Sequence, residues 1–263
     1  MKGPPRAARP PSTLNAYVLH RYDWSETSLI LDLFTREQGR IAVAAKGAKR
    51  PYSQLRPVLL PFQRLHVGVG RVKSAGDDDT AGEVQNLRGA EWAGGTAMLT
   101  GAALFSGFYL NELLMRLIAR HDPHPALFDA YAQTLPALGS EDDVQVQAAL
   151  RAFEMTLLKE IGLLPDLTLV TLTLDEVREE AGYTVLPEAG VAVVRTGEPP
   201  IAGAALIGLQ AALTHGSMPA LQQACERALP ELKTMLRTLL QYHLGTPVLR
   251  TRQLMLDVQN LER

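Results

Sequence analysis

One cysteine, Cys225, stands in 263 residues. That count rules out a disulfide within the chain and any Cys-based zinc site. Long hydrophobic runs are also missing: no stretch of about eighteen apolar residues exists to span a membrane. The opening Met1–Ser12, with prolines at 4, 5, 10 and 11 and cations at 2, 6 and 9, has no apolar core segment and so is not a secretory signal. It reads as a flexible, basic tail. The phosphate-cradling pattern Gly-x-x-x-x-Gly-Lys-Ser/Thr is absent, which argues against a P-loop ATPase. Gly68-Val-Gly70 lacks both the third glycine and the following helix of a dinucleotide site. The six histidines are scattered. The nearest pair, His121 and His124, flanks Pro123 without a ligand cluster beside it.

What the chain does have is an uneven charge. Its first 73 residues hold 13 of the 26 Lys/Arg and only 4 of the 28 Asp/Glu, leaving 13 against 24 for the rest. A net charge of −2 conceals two segments of opposite sign. A compact basic segment points to a polyanionic partner, and nucleic acid is the commonest one. With 46% apolar and 21% charged residues, the composition is that of an ordinary globular protein. The length suits two modest domains better than one.

Periodicity divides the chain at about the same place as charge. Three short runs rich in β-formers, 16–22, 26–34 and 39–46, are separated by turn residues. Within the second, Leu29, Leu31 and Leu33 alternate with Ile30, Asp32 and Phe34. Further strands are expected at 58–62, 65–69 and 82–88, with prolines at 57 and 61 marking edges or bends. About five strands without a long helix among them predict a small antiparallel barrel. The loop 73–80, with three successive aspartates, reads as a solvated hairpin tip. From about Thr96 the period becomes helical, with a break at Asp122-Pro123. A second helix is expected at 126–138 and a third, capped by Asp142 or Asp143, ending near Ile161-Gly162. An irregular Pro/Gly-rich excursion, 163–200, follows, with strand-like pieces at 167–174 and 191–194. Helices then resume at 201–213, 219–228, 231–244 and 250–258. The fold class is therefore α+β: residues 1–12 a tail, 13–92 a barrel, 93–263 a helical domain. Cys225 falls in a helical pattern and reads as a small helix residue.

No constellation in the chain demands catalysis, so an enzyme is not expected. The positive signal is cationic. Arg36, Arg40, Lys46, Lys49, Arg50, Arg56, Arg64, Arg71 and Lys73 fall at strand ends and in loops, where they can reach phosphates without base-specific geometry. The segment Ala45-Lys-Gly-Ala-Lys-Arg-Pro-Tyr-Ser53 concentrates them: three cations lie in five residues, and Tyr52 offers a ring on which a base can stack. Tyr22 and Trp24 are further stacking candidates or, equally, barrel core.

The run 16–40 continuing into Ala45-Lys-Gly-Ala-Lys-Arg50 closely resembles the N-terminal domain of the bacterial DNA repair protein family RecO. Further blocks match in family order: Leu60-Pro-Phe62, Tyr109-Leu-Asn-Glu-Leu-Leu114, Leu150-Arg-Ala-Phe-Glu154 and Leu244-Gly-Thr-Pro-Val-Leu-Arg-Thr-Arg-Gln-Leu254. The resemblance covers most of the chain. It implies an N-terminal OB-fold, a helical C-terminal domain and no enzymatic turnover or cofactor. It further implies binding of single- and double-stranded DNA, annealing of complementary strands coated with single-stranded DNA-binding protein and, with RecR, promotion of RecA loading, the work of a recombination mediator. The implied partners are the acidic C-terminal tail of single-stranded DNA-binding protein, RecR and, indirectly, RecA, in a cytoplasmic, nucleoid-associated setting without membrane contact. By position, Arg40, Lys46, Lys49 and Arg50 fall in the family's DNA-binding region. Arg151 matches an arginine of the tail-binding site, with Phe153 beside it and Arg116 and Arg120 on the preceding helix bordering the same groove. An acidic tail ending in an aromatic requires a guanidinium next to an apolar groove.

Two departures stand out. Many relatives carry a four-cysteine zinc ribbon in the excursion, whereas residues 163–200 here hold no Cys and the element is expected to be zinc-free. A Gly-Gly-Lys-Pro pattern of some relatives reads Gly245-Thr-Pro-Val248, which shifts any basic contact to Arg250 and Arg252. Composition alone leaves an RNA-binding OB module of a translation or ribosome-associated factor as the alternative, since RNA and DNA phosphates present the same charge. A hydrolase whose residues meet only in the fold is a third reading.

Overall fold

The computed structural model describes residues 13–70, 84–95, 98–195, 200–245, 249–251 and 253–254. The expected tail, the 73–80 loop, Arg71, Lys73 and Arg252 lie outside them.

Strands β1 (Thr13–Asp23), β2 (Leu29–Thr35), β3 (Gly39–Ala45), β4 (Leu65–Gly70) and β5 (Val84–Trp92) close a barrel in the order β1-β2-β3-β5-β4, the strand order of an OB-fold. All pairings are antiparallel except β3 with β5. Period-2 alternation decides what points inward: Leu14, Ala16 and Val18, Leu31 and Leu33, Ile41 and Val43, and Leu65 and Val67 form one buried cluster. The β2–β3 turn closes on Gly39, whose φ of +68° suits glycine, while the Thr35 hydroxyl donates to the Gly39 carbonyl at 2.8 Å.

The strand expected at 58–62 is not formed. Residues 47–59 instead make successive turns, with Arg50 N donating to the Gly47 carbonyl, Ser53 N to Arg50 and Arg56 N to Ser53. Three prolines in and just after that stretch, at 51, 57 and 61, remove ladder donors. Burial offsets the missing ladder, because Ala48 and Leu59 drop into the barrel core. Only Pro61 bridges to β1, at Val18.

Chain connectivity does not follow the simple order of barrel then helices. One unit comprises the residues up to Gly95 together with Arg120–Pro123; the other comprises Thr96–Ala119 and everything from His124. The strap 120–123 lies against β3, His121 N donating to the Arg40 carbonyl at 2.9 Å. A Cβ on Gly39 would overlap the Asp122 carbonyl.

In the second unit, α1 (Gly101–Leu117) ends at Ile118, before the expected break at Asp122-Pro123. Next come α2 (Pro125–Ala137) and α3 (Asp143–Glu160), capped by Asp142, whose carboxylate accepts from Val144 N. Helix α3 is deeply buried, from Ala148 to Leu158. Its Phe153 meets Tyr131 of α2 edge-on at 6.0 Å.

The excursion folds as a three-stranded sheet, β6 (Gly182–Leu186), β7 (Gly190–Val193) and β8 (Ile201–Ala202), in the order β7-β6-β8. Residues 167–174, expected as strand, form a turn-rich loop joined by one bridge, Leu169 to Glu176. Helices α4 (Gly203–His215), α5 (Met218–Glu226) and α6 (Leu229–Leu244) complete the unit. No helix among the described residues is long and apolar enough to cross a membrane.

Candidate nucleic-acid interface and peptide groove

The predicted barrel cations separate into groups. At the end where β1 turns into β2, Lys46, Arg50, Tyr52 and Arg56 are all exposed, Tyr52 at 95%. The side chains of Lys46, Arg50 and Arg56 have no hydrogen-bond or ion-pair partner among the described residues. They protrude from the turn segment that plugs the barrel, so the residues flanking its buried Ala48 present a row of solvated charge.

Lys49 belongs to the same segment but is engaged. Its Nζ lies 2.9 Å from Asp23 Oδ1 and donates to the Ser25 carbonyl, while its backbone N donates to Thr27. It braces the β1–β2 hairpin against the turn segment.

Arg36 and Arg64 sit toward the opposite strand ends. Arg64 donates to Asn15 Oδ1 at 3.0 Å, and Asn15 in turn donates to Glu37. The length of a seven-residue strand, about 20 Å, separates this end from Lys46. Arg40 is mostly covered, its Nε 3.1 Å from Asp32 Oδ1, and Arg120 approaches the other Asp32 oxygen at 3.7 Å. Burial pushes the Asp32 carboxyl above its usual range despite both guanidiniums. Arg40 is thus tied into the barrel wall, and the eight predicted residues that the structure describes do not form one continuous patch.

Arg120 requires a correction. It is not on the helix with Arg116, because the chain has left α1 by Ile118 and Arg120 lies on the strap against the barrel. Arg116 stays on α1 and pairs with Glu112 at 3.2 Å. Glu112 also accepts from Arg250 N, Thr251 N and the Thr251 hydroxyl, capping the helical turn that begins there. Burial alone would raise the Glu112 carboxyl, but these donors and Arg116 hold it below its usual range.

Arg151 lies in a groove of about 340 Å³ between α3 and the first turn of α6, lined by Asp143, Gln147, Arg151, Leu229, Pro230 and Lys233. On α3 these residues follow at i, i+4 and i+8, one face of the helix. Arg151 Nη2 is 2.8 Å from Glu154 Oε1, which also accepts from the Tyr109 hydroxyl at 2.7 Å. Glu154 is wholly buried, and burial raises its carboxyl against the opposing pull of Arg151 and Tyr109. Phe153 does not face the groove. It points to the other side of α3 and is fully buried, so it is a core ring and not a groove wall. Lys233, which sequence reasoning passed over, supplies a second cation at the groove. Its only signal is its place one turn after Leu229. Among the described residues no group of His, Cys, Asp or Glu is arranged to hold a metal ion.

Two family models match this chain: the N-terminal model of Recombination protein O over residues 11–77 and the C-terminal model over residues 98–253. The chain belongs to the RecO family. It is 52% identical over 248 residues to the DNA repair protein RecO of Polaromonas naphthalenivorans, covering 94% of this chain and 96% of the relative. The DNA repair protein RecO of Verminephrobacter eiseniae is 50% identical over 252 residues, with the same coverage. That of Acidovorax ebreus is 48% identical over 269 residues, covering 97% of this chain and all of the relative. The RecO models meet the barrel and the helical unit separately, so both halves of the α+β architecture belong to the family. Between the two matches lie residues 78–97, outside either model.

Proposed function

We propose that this protein is a recombination mediator of DNA repair, without catalytic turnover, that holds DNA on the barrel and an acidic protein tail on the helical unit. The observation that carries the reading is the turn segment 46–56, where three cations without partners among the described residues and an almost fully exposed tyrosine share one short stretch. Cations serve phosphates of either strand state, and an exposed ring serves an unpaired base. RecO-family membership supports DNA repair as the setting.

The second half of the reading rests on the α3–α6 groove. Arg151 and Lys233 face an acidic peptide, while Leu229 and Pro230 offer an apolar wall for a terminal aromatic. The C-terminal tail of single-stranded DNA-binding protein has that chemistry. Tethering the coated strand at the groove raises the local concentration of DNA at the barrel. Annealing then proceeds without nucleotide hydrolysis, and together with RecR the protein promotes loading of RecA onto coated strands in the same cytoplasmic, nucleoid-associated compartment.

The test is annealing of complementary oligonucleotides coated with single-stranded DNA-binding protein, without ATP, at two salt concentrations. Salt-sensitive acceleration that disappears when the coating protein lacks its acidic tail supports both halves. No acceleration, with tight binding to RNA, overturns the mediator reading in favour of an RNA-binding module.

A further inference from the structure

Strand β1 changes character at His20. Leu14 and Ala16–Leu19 are buried, yet His20–Asp23, still paired with β2, are exposed. The exposed part carries an aromatic row. His20 and Tyr22 share one face of the strand, their ring centroids 4.4 Å apart, and Trp24 follows two residues on in the hairpin turn. Tyr22 is 46% and Trp24 55% exposed. A tryptophan in a small barrel ordinarily buries its large apolar surface. Here that surface faces water at the tip of a hairpin.

The turn that carries the ring is held in place. Trp24 N and Ser25 N both donate to the Ser28 carbonyl, Gly47 N donates to the Ser28 hydroxyl, and Lys49 ties Asp23, Ser25 and Thr27 to the segment bearing Lys46, Arg50, Tyr52 and Arg56. With the backbone beneath the ring braced, covering it with a flat ligand requires no ordering of the turn. The solvated cations on the neighbouring segment supply the charge that a nucleic-acid backbone requires.

We infer that Trp24 is a base-stacking residue and that, with Tyr22 and Tyr52, it makes this end of the barrel select unpaired strands over duplex. The inference rests on the reading of the barrel as a DNA-binding surface and assigns its strand preference to named rings. Phosphates alone do not distinguish the two forms strongly, because Lys46, Arg50 and Arg56 meet a backbone in either case. The face of a base is open to a ring only where the base is not already stacked and paired. Specificity for single strands therefore resides in Trp24, and the salt dependence resides in the cations.

The chain holds two tryptophans, Trp24 and Trp92, so W92F leaves Trp24 as the sole indole. The experiment titrates full-length W92F with an oligo-dT of about 20 nucleotides, long enough to span an OB-fold site, and with a duplex of equal length. Tryptophan emission and the anisotropy of labelled DNA are followed together. Strong quenching by oligo-dT and little by duplex is expected. In the wild-type background, W24A should weaken oligo-dT binding about tenfold, the size of one base–aromatic contact, with the salt slope unchanged and W24F keeping most of the affinity. Oligo-dT binding with unmoved Trp24 emission and a W24A loss below twofold would overturn the inference and leave the cationic barrel standing. An equal W24A loss for duplex and oligo-dT would overturn the strand selectivity. Absence of binding to any DNA would remove both this inference and the barrel reading on which it rests.

Discussion

Replacing Arg151 with alanine tests whether the guanidinium binds, supports the fold, or does both. Its side chain is 11% exposed and its partner Glu154 is wholly buried, so R151A leaves a carboxylate with the Tyr109 hydroxyl as its one remaining donor among the described residues. Stranding one member of a buried ion pair costs about 3–5 kcal/mol. Because burial already raises the Glu154 carboxyl, its folded state holds a proton more tightly than its unfolded state does. Stability from this group is therefore greatest below the ordinary glutamate range and declines as pH rises through the raised folded value. Removing Arg151 raises that value further and widens the declining window. Urea denaturation of full-length R151A should show a loss of about 3 kcal/mol at pH 8 and a distinctly smaller one at pH 5. The double variant R151A/E154Q removes the stranded charge and should recover most of the loss. A fluorescent acidic peptide ending in an aromatic should bind neither variant. A cost below about 1 kcal/mol at pH 8, or one independent of pH, would refute the electrostatic account of the buried pair. Wild-type peptide binding by the folded double variant would show that Arg151 serves the fold alone.

Three further outcomes follow from the same structure. G39A combines a left-handed φ with overlap on the Asp122 carbonyl, and should cost about 2–3 kcal/mol in urea denaturation; a loss under about 0.5 kcal/mol would mean that the strap yields freely. E112Q weakens the cap on Arg250 and Thr251, and hydrogen exchange should show those amides losing about 1–2 kcal/mol of protection at neutral pH. Since the Glu112 carboxyl is held low, its contribution is present above the ordinary carboxylate range and is lost as pH falls toward the folded value, so wild-type protection there should also drop in acid. Single alanine replacements at Lys46, Arg50 and Arg56 should each reduce the slope of log affinity against log salt for single strands by about 0.7, whereas R40A should act on barrel stability, since Arg40 is paired with Asp32.

Much of the barrel was legible because alternation is a local signal. The leucines at 29, 31 and 33 face inward as their spacing predicts, and the glycine at 39 marks its turn. Alternation left the opposite face of β2 open, and Asp32 and Phe34 there are as buried as the core residues; burial on a second face depends on what other parts of the chain bring to it. The stretch 58–62 has strand-like side chains, but Pro57 before it, Pro61 within it and the burial of Leu59 favoured turns. Strands β6 and β8 were missed because two to five residues carry too little pattern to separate them from loop. The site was less legible than the fold. Arg151 and Glu154 were visible as neighbours on a helix, yet nothing local shows that Glu154 is buried. Likewise, a list of cations does not distinguish Lys46, which is solvated, from Lys49, which pairs with Asp23.

The strap at Arg120–Pro123 makes the two units interleaved in sequence, and this has a bearing on how such chains can be divided or recombined. A fragment that stops at Gly95 carries Asp32 and Arg40 but not Arg120, and it leaves the Arg40 carbonyl without the His121 amide. A chimaera that joins the first 95 residues of one relative to the remainder of another therefore grafts a foreign strap onto a native barrel. Gly39 and the Asp122 backbone must then match across the junction, so exchange between lineages is constrained at two places far apart in sequence and adjacent in space.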